Sequence, residues 1–321
     1  MDMHDTQESA MWTAEPLAFR LRSPLHIGWR KVGNLMQTRP YVPAKNLWAA
    51  LTAELARRQP QQGRAATAEA YQDVGKKVAE SLAFTYLFPA LAADPAQALY
   101  PWLTPGGLVY GKECLAAETF DYLCLDSYAG TAITVGQNAA ETGSLHETEM
   151  LSPRTRPLAG TRLAGRYGAA ADELGAPVYL AGYALVRGDG PAGWRDALER
   201  LQIGGERRYG WGALRKEGAG VPPGDGLFGL YDVAGDDTRP VLRARMNAPT
   251  LAHALAADFN GATTVVGVSG PVEPVVGRET NAKRGFGANL IQARVCWAPG
   301  SPLGEGQRVL VGEDGIWRGV T

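Results

Sequence analysis

Within the ten residues IGGERRYGWG (203–212) stand four glycines, two arginines and two aromatic rings. Glycine permits positive φ and close backbone approach, so several N–H groups can converge on one anionic oxygen. Arg207 and Arg208 would add charge-assisted bonds to phosphate. Tyr209 and Trp211 offer flat faces on which unpaired bases stack, worth roughly 1–3 kcal/mol per base. Phosphate grip beside stacking faces is the chemistry of single-stranded RNA binding, with Gly204, Gly205, Gly210 and Gly212 supplying the backbone contacts. The segment is not a Walker A sequence, which needs GxxxxGK[ST]. Nor is it a dinucleotide fingerprint, whose glycines lie between a strand and a helix. The plainer alternative is a helix C-cap at Gly204 running into a tight turn.

Other cations come in small groups: Arg20 with Arg22, Arg154 with Arg156, Arg162 with Arg166. Lys283 and Arg284 precede Gly285-Phe286-Gly287-Ala288, a faint echo of Gly210-Trp211-Gly212-Ala213. With Arg278 they either touch a ligand or form an exposed charged loop. The three cysteines (Cys114, Cys124, Cys296) and four histidines (His4, His26, His146, His253) show no ligand spacing, so neither a metal site nor a cofactor is expected. Asp121 and Asp126 read as solvated turn residues, and Trp48 and Trp194 as core positions on helices.

The elements that must hold these residues follow from periodicity. PLAFRLRS (16–23) alternates and predicts a half-buried strand. The stretch 24–43, with three prolines and two glycines, reads as a long loop. Leu47, Leu51 and Leu55 predict a helix over 44–58, and Tyr71, Val74, Val78 and Leu82 a second over 66–82. FDYLCLDSY (120–128) reads as a strand. PVYLAGYALV (177–186) is an apolar strand, and GDGP then opens a helix striped by Trp194, Leu198 and Leu201. Strand, helix, glycine loop and strand in that order suggest half of a ferredoxin-like βαβ unit. EGAGVPPGD (217–225) reads as a linker. The remainder is mostly β: VVGVSG, PVEPVVGRE, LIQARVCW and a closing hairpin around Glu313-Asp314-Gly315.

With 321 residues, 45% apolar and 20% charged, the chain can bury a sizeable core and shows no global disorder. Its net charge of −1 argues against a wholly basic nucleic-acid coat, but a protein gripping RNA on one face can balance its total. No apolar stretch reaches the roughly 18 residues a membrane span needs. The polar, acidic start MDMHDTQESAMW is unlike a signal peptide and reads as a loose tail on a cytoplasmic protein. The expected division is a flexible tail over 1–15, a main α+β domain over 16–216 and a smaller domain over 226–321.

PLHIG followed by TRPYVPAKNLWAALTAEL, HETEMLSPRTR (146–156) ahead of PVYLAGYALV, and IGGERRYGWGAL together resemble the RAMP superfamily, whose members build CRISPR effector complexes. The likeness covers much of 16–216. It implies an α+β fold: a ferredoxin-like, RNA-recognition-type domain with insertions, plus a smaller β-rich or second ferredoxin-like C-terminal domain. It implies that Gly204, Gly205, Arg207, Arg208, Gly210 and Gly212 contact guide RNA phosphates. His26, Arg39 and Lys45 would lie near the same groove, and Arg154 and Arg156 on a hairpin able to wedge between bases. Apart from the likeness, Lys283 and Arg284, with Arg278, border the second glycine cluster and either touch RNA or a neighbouring subunit or form an exposed charged loop. The NLWAAL segment is most similar to the subunit capping the five-prime tag of the guide in type III systems. The implied partners are the guide RNA, the large subunit and backbone subunits, and target RNA through the guide, with no membrane.

Backbone subunits of this superfamily that cut target RNA carry an aspartate shortly after the PLHIG-like element. Between Pro24 and Lys45 this chain has neither Asp nor Glu. Cleavage from that stretch lacks its carboxylate, so a non-catalytic role is expected. The alternatives are an endoribonuclease processing guide precursors with His26 as general base, a non-cleaving backbone subunit, and a protein that mainly bridges other subunits.

Overall fold

The computed structural model describes residues 11–59, 66–157, 175–218, 224–234, 238–257, 263–281, 283–290 and 293–320. Strand β1 (Trp12–Leu21) begins inside the stretch read as a tail, four residues ahead of the alternating segment. Leu17, Phe19 and Leu21 are buried as the alternation predicts, but so is Ala18, because the strand is covered on both faces.

The stretch 24–43 differs from its reading as a loop. It holds a hairpin of β2 (Gly28–Val32) and β3 (Leu35–Thr38). Helix α1 (Ala44–Arg58) follows with Leu47, Leu51 and Leu55 turned inward, and Arg57 and Arg58 both pair with Glu54. Helix α2 (Ala68–Ser81) starts at Thr67, whose hydroxyl accepts the Ala70 N–H at 3.1 Å, and buries Val74 and Val78. Two short strands come next, β4 (Leu82–Phe84) and β5 (Phe88–Ala90).

The strand expected over 120–128 is half helix. Helix α3 (Ala117–Cys124) buries Phe120, Leu123 and Cys124, an i, i+3, i+4 spacing, and only then does β6 (Leu125–Gly130) begin. Strand β7 (His146–Leu151) pairs with β6, and β8 (Tyr179–Arg187) is the central apolar strand. The helix after it is short. Helix α4 (Trp194–Ala197) ends before β9 (Arg200–Gln202), so Leu201 belongs to a strand and the glycine loop leaves a strand, not a helix. The reading of Gly204 as a helix cap therefore fails. Strand β10 (Ala213–Glu217) closes this half.

The main sheet runs β9-β10-β1-β8-β4, with β5 also on β8, and every neighbouring pair is antiparallel. Helix α1 packs against α2, β4, β9 and α4. A second, four-stranded sheet runs β2-β3-β7-β6, with β3 and β7 parallel.

Of the expected linker 217–225, residues 219–223 lie outside the described residues. Beyond it come β11 (Tyr231–Ala234), β12 (Val241–Ala244), β13 (Ala254–Ala257), β14 (Val272–Val275), β15 (Arg278–Asn281), β16 (Gly285–Leu290), β17 (Arg294–Trp297), β18 (Arg308–Val311) and β19 (Trp317–Gly319). A seven-stranded sheet has the order β11-β12-β18-β19-β13-β17-β14. No α-helix occurs after 226 among the described residues, so this part is β-rich. VVGVSG supplies only a single bridge, Val268 to Leu303, whereas the hairpin around Glu313-Asp314-Gly315 forms as read.

One buried cluster runs through both halves. Phe228, 4% exposed, comes from the segment before β11 and lies edge-on to Phe88, Tyr100 and Tyr183 at centroid distances of 5.7, 6.0 and 5.0 Å.

Candidate nucleic-acid interface

The glycine loop is a closely hydrogen-bonded turn. Ile203 N–H donates to Gly212 O at 3.0 Å, Gly205 N–H to His26 O at 2.8 Å and Gly212 N–H to Pro24 O at 2.7 Å. The side-chain amide of Gln202 donates to the carbonyls of Arg207 (2.9 Å) and Trp211 (3.0 Å), bracing both shoulders. Gly204 and Gly212 have φ of +80° and +77°, and a Cβ at either would strike backbone, that of His26 and Ile203 respectively. The glycines therefore serve close packing of the loop on residues 24–26. The N–H groups of Gly205, Gly210 and Gly212 are spent inside the protein. A short 3₁₀ turn over Arg207–Tyr209 pushes these three side chains outward, and Tyr209 is 81% exposed. Neither guanidinium has an acidic partner among the described residues.

His26 lies under this loop, buried, with Gly205 against its ring. Its Nδ1 is 2.7 Å from Glu149 O. A carbonyl only accepts, so Nδ1 carries a proton, and Nε2 is the ring nitrogen left without a partner among the described residues. The 24–43 stretch itself holds no carboxylate, but folding brings two beside it. Glu149 Oε2 accepts the Thr38 N–H at 2.8 Å, and Glu273 accepts from Arg39 and Trp29. Both are committed to donors.

Arg39 is not turned outward. It donates to Glu273 at 2.8 Å and to the Tyr41 hydroxyl at 2.9 Å, with 12% of its side chain exposed. His253 joins them. Its Nε2 is 2.6 Å from Glu273 and its Nδ1 2.7 Å from the Tyr86 hydroxyl, so Nε2–H donates to the carboxylate and Nδ1 accepts from Tyr86. Burial dominates the ionisation here. It lowers His253 and raises the Tyr41 and Tyr86 phenols. It also works against Glu273, yet bonds from His253 and Arg39 outweigh it and hold that carboxyl at about 2.

A groove of about 1070 Å³ opens between the glycine loop, α1 and α2 on one side and residues 274–280, Gly287 and 313–316 on the other. Lys45 lines it, 3.6 Å from Glu279 and 4.5 Å above the Trp48 ring. Trp48, read as core, borders this groove instead. It packs on Gly75, where a Cβ would come within 2.9 Å of the ring, and its buried indole N–H has no partner among the described residues. Trp194 is core, 1% exposed. Lys76, Arg207 and Arg278 line the groove without an ion pair among the described residues, against the single unpaired acid Glu313. Lys283 and Arg284 stand exposed at the turn of the β15–β16 hairpin, their N–H groups held by Asn281 Oδ1 at 2.9 Å. That hairpin leans on α2 through Gln72, whose amide reaches Thr280 O at 2.6 Å.

Arg154 and Arg156 lie elsewhere. Segment 153–155 runs beside 176–178, with Thr155 N–H donating to Ala176 O at 2.8 Å and Val178 N–H to Pro153 O at 3.0 Å. Both arginines thus stand shortly before residues 158–174, which, with Arg162 and Arg166, lie outside the described residues. Arg154 bonds Gly175 O at 2.5 Å, and Arg156 faces Asp126 at 3.6 Å. Residues missed by the sequence reading include Trp29, whose indole donates to Glu273 at 2.8 Å, and Tyr128, whose ring meets Trp211. The neighbouring cations in GWRK were a signal for Trp29. Tyr128 is too distant in sequence from the loop to have been found. No group of three metal-ligating side chains occurs among the described residues.

The class these elements define is an α+β fold shared with subunits of CRISPR type III-B complexes. The chain matches one in the type III-B Cmr-beta complex bound to cognate target RNA, with TM-score 0.52, 9% identity, and coverage of 90% of this chain and 86% of that one. The same complex with target RNA and AMPPnP gives 0.49 at 10% identity over the same shares. Oligomeric Cmr4 from Pyrococcus furiosus gives 0.26 at 12% identity, covering 64% of this chain and 97% of that one. At these identities the likeness is one of fold, carried by the first comparison. No known family's sequence profile matches the chain, and no curated protein matches it.

Proposed function

We propose that this chain is a non-catalytic subunit of a type III CRISPR effector ribonucleoprotein that holds the five-prime region of the guide RNA. In this reading it contacts the large subunit and backbone subunits and meets target RNA through the guide. The observation that carries it is the loop 203–212, a braced turn that presents two unpaired arginines and two aromatic rings, with Arg207 lining the adjoining groove. The setting is supported by the fold shared with a chain of a Cmr-beta complex solved with cognate target RNA. The antiparallel order β10-β1-β8-β4, with helical connections before β4 and after β8, supports a ferredoxin-like core. Arginines 207 and 208 grip phosphates, Lys45 lines the groove on the same side from α1, Lys283 and Arg284 meet the strand from the turn of the β15–β16 hairpin, and Arg39 and His26 hold the frame.

The test is binding of the purified chain to a fluorescent guide RNA, with and without its five-prime tag, at two salt concentrations. Tag-dependent binding that weakens with salt and leaves the RNA intact is expected. Replacing both arginines (Arg207→Ala with Arg208→Ala) should weaken it and flatten the log–log salt slope by about 1.4, at about 0.7 per lost contact on a single strand. A second reading has one observation behind it: His26 Nε2 has no hydrogen-bond partner among the described residues and could act as a base. Site-specific, metal-independent cleavage lost in His26→Ala would replace the first reading with a guide-processing endoribonuclease. Absence of binding at either salt would leave a bridging subunit.

A further inference from the structure

Tyr128 comes from β6 in the four-stranded sheet, and Trp211 from the glycine loop at the end of the main sheet. Their ring centroids are 6.3 Å apart and their planes 82° apart, the two walls of a corner. Packing does not explain the contact, since Tyr128 remains 62% exposed. Neither the Tyr128 hydroxyl nor the Trp211 indole N–H has a hydrogen-bond partner among the described residues, so flat faces and polar edges are both free. Single exposed aromatics are ordinary on protein surfaces. Two from different sheets, meeting next to two unpaired arginines, are not explained by that background.

The frame of this corner is fixed. Gln202 ties the carbonyls of Arg207 and Trp211, so the backbone bearing the first cation and the indole is held at one spacing. Tyr128 is held in ladder register opposite Thr148, which in turn lies opposite Met36 and, beyond it, Lys31, an exposed cation at the end of the same row. The exposed aliphatic residues Ile133, Val135 and Leu145 lie beyond the end of the β6–β7 ladder at Gly130, so the corner itself is aromatic, polar and cationic. That composition suits a nucleotide better than an apolar protein surface.

We propose that Tyr128 and Trp211 form an open stacking corner that takes one unpaired base of an RNA strand whose phosphates are held by Arg207 and Arg208. The proposal rests on the RNA-holding reading above. Its test uses the full chain and a short single-stranded guide RNA, together with a series of the same RNA carrying one abasic site moved a nucleotide at a time. Tyr128→Ala and Trp211→Ala are each expected to weaken binding about 5- to 100-fold, and Tyr128→Phe to keep the affinity. At one abasic position the wild type should lose a similar factor, and Tyr128→Ala should then cost nothing more. Loss by the same factor at every abasic position would mean a merely structural role and overturn the corner. Wild-type binding that depends on Arg207 and Arg208 but not on Tyr128 would overturn the corner alone. Wild type that binds no RNA would overturn both readings. Unchanged RNA affinity with failed assembly into a complex would make the corner a protein contact instead.

Discussion

Gly210 and Gly212 share nearly the same left-handed φ, +82° and +77°, but differ in what surrounds them. A Cβ at Gly210 meets open space, while at Gly212 it would collide with the Ile203 backbone that the loop closes upon. Gly210→Ala should therefore cost about 1–2 kcal/mol, the ordinary penalty of that backbone region. Gly212→Ala should cost more, because the collision also disturbs the bonds to Ile203 and Pro24. Urea unfolding of the two variants measures the difference, and RNA binding should fall for Gly212→Ala well beyond Gly210→Ala. At this scale arginine is not one kind of residue. Arg207 and Arg208 are free to meet a ligand, whereas Arg39 is consumed by Glu273 and Tyr41. Residue type alone does not separate these cases, since the carboxylate that claims Arg39 arrives from more than two hundred positions away.

Among the elements, the segment around Phe228 joins the two sheets, filling a space bounded by Phe88, Tyr100 and Tyr183. Phe228→Ala is expected to destabilise the whole chain by about 3–5 kcal/mol in a single unfolding transition, as measured by denaturant. Two separate transitions would show that the halves fold independently. Strand β8 and helix α1 were legible in the sequence because their apolar residues are continuous in one and spaced by four in the other. The segment 120–128 was not, since Phe120, Leu123 and Cys124 suit a helix while the tail LDSY suits a strand, and the boundary falls between them. The hairpin β2–β3 was not legible because prolines flank it and β2 is exposed throughout, which leaves no apolar alternation to read. Of the candidate interface, the glycine loop was visible as composition. The groove wall at 274–280 was not, because only folding brings it opposite α1.

For the molecule as a whole, the Arg39–Glu273–His253–Tyr86 network makes stability depend on pH in one direction. His253 is lowered by burial, so below the free value of about 6.5 the unfolded chain takes up a proton the native one refuses. Glu273, held at about 2, does the same once pH drops below the free carboxylate value of about 4.3. Both contributions are present at neutral pH and are lost as pH falls. Glu273→Gln should cost about 3–5 kcal/mol near pH 7, by leaving Arg39 buried and unpaired. Its gap from wild type should narrow between about pH 4 and 2, a trend that urea titrations across that range would follow. The shared core has a consequence for heredity as well. A recombinant that joined this first half to a diverged second half would leave a hole where Phe228 stood and a stranded cation at Arg39. The two halves must therefore descend together, each change in one answered in the other, and shuffling between lineages can trade only the exposed loops.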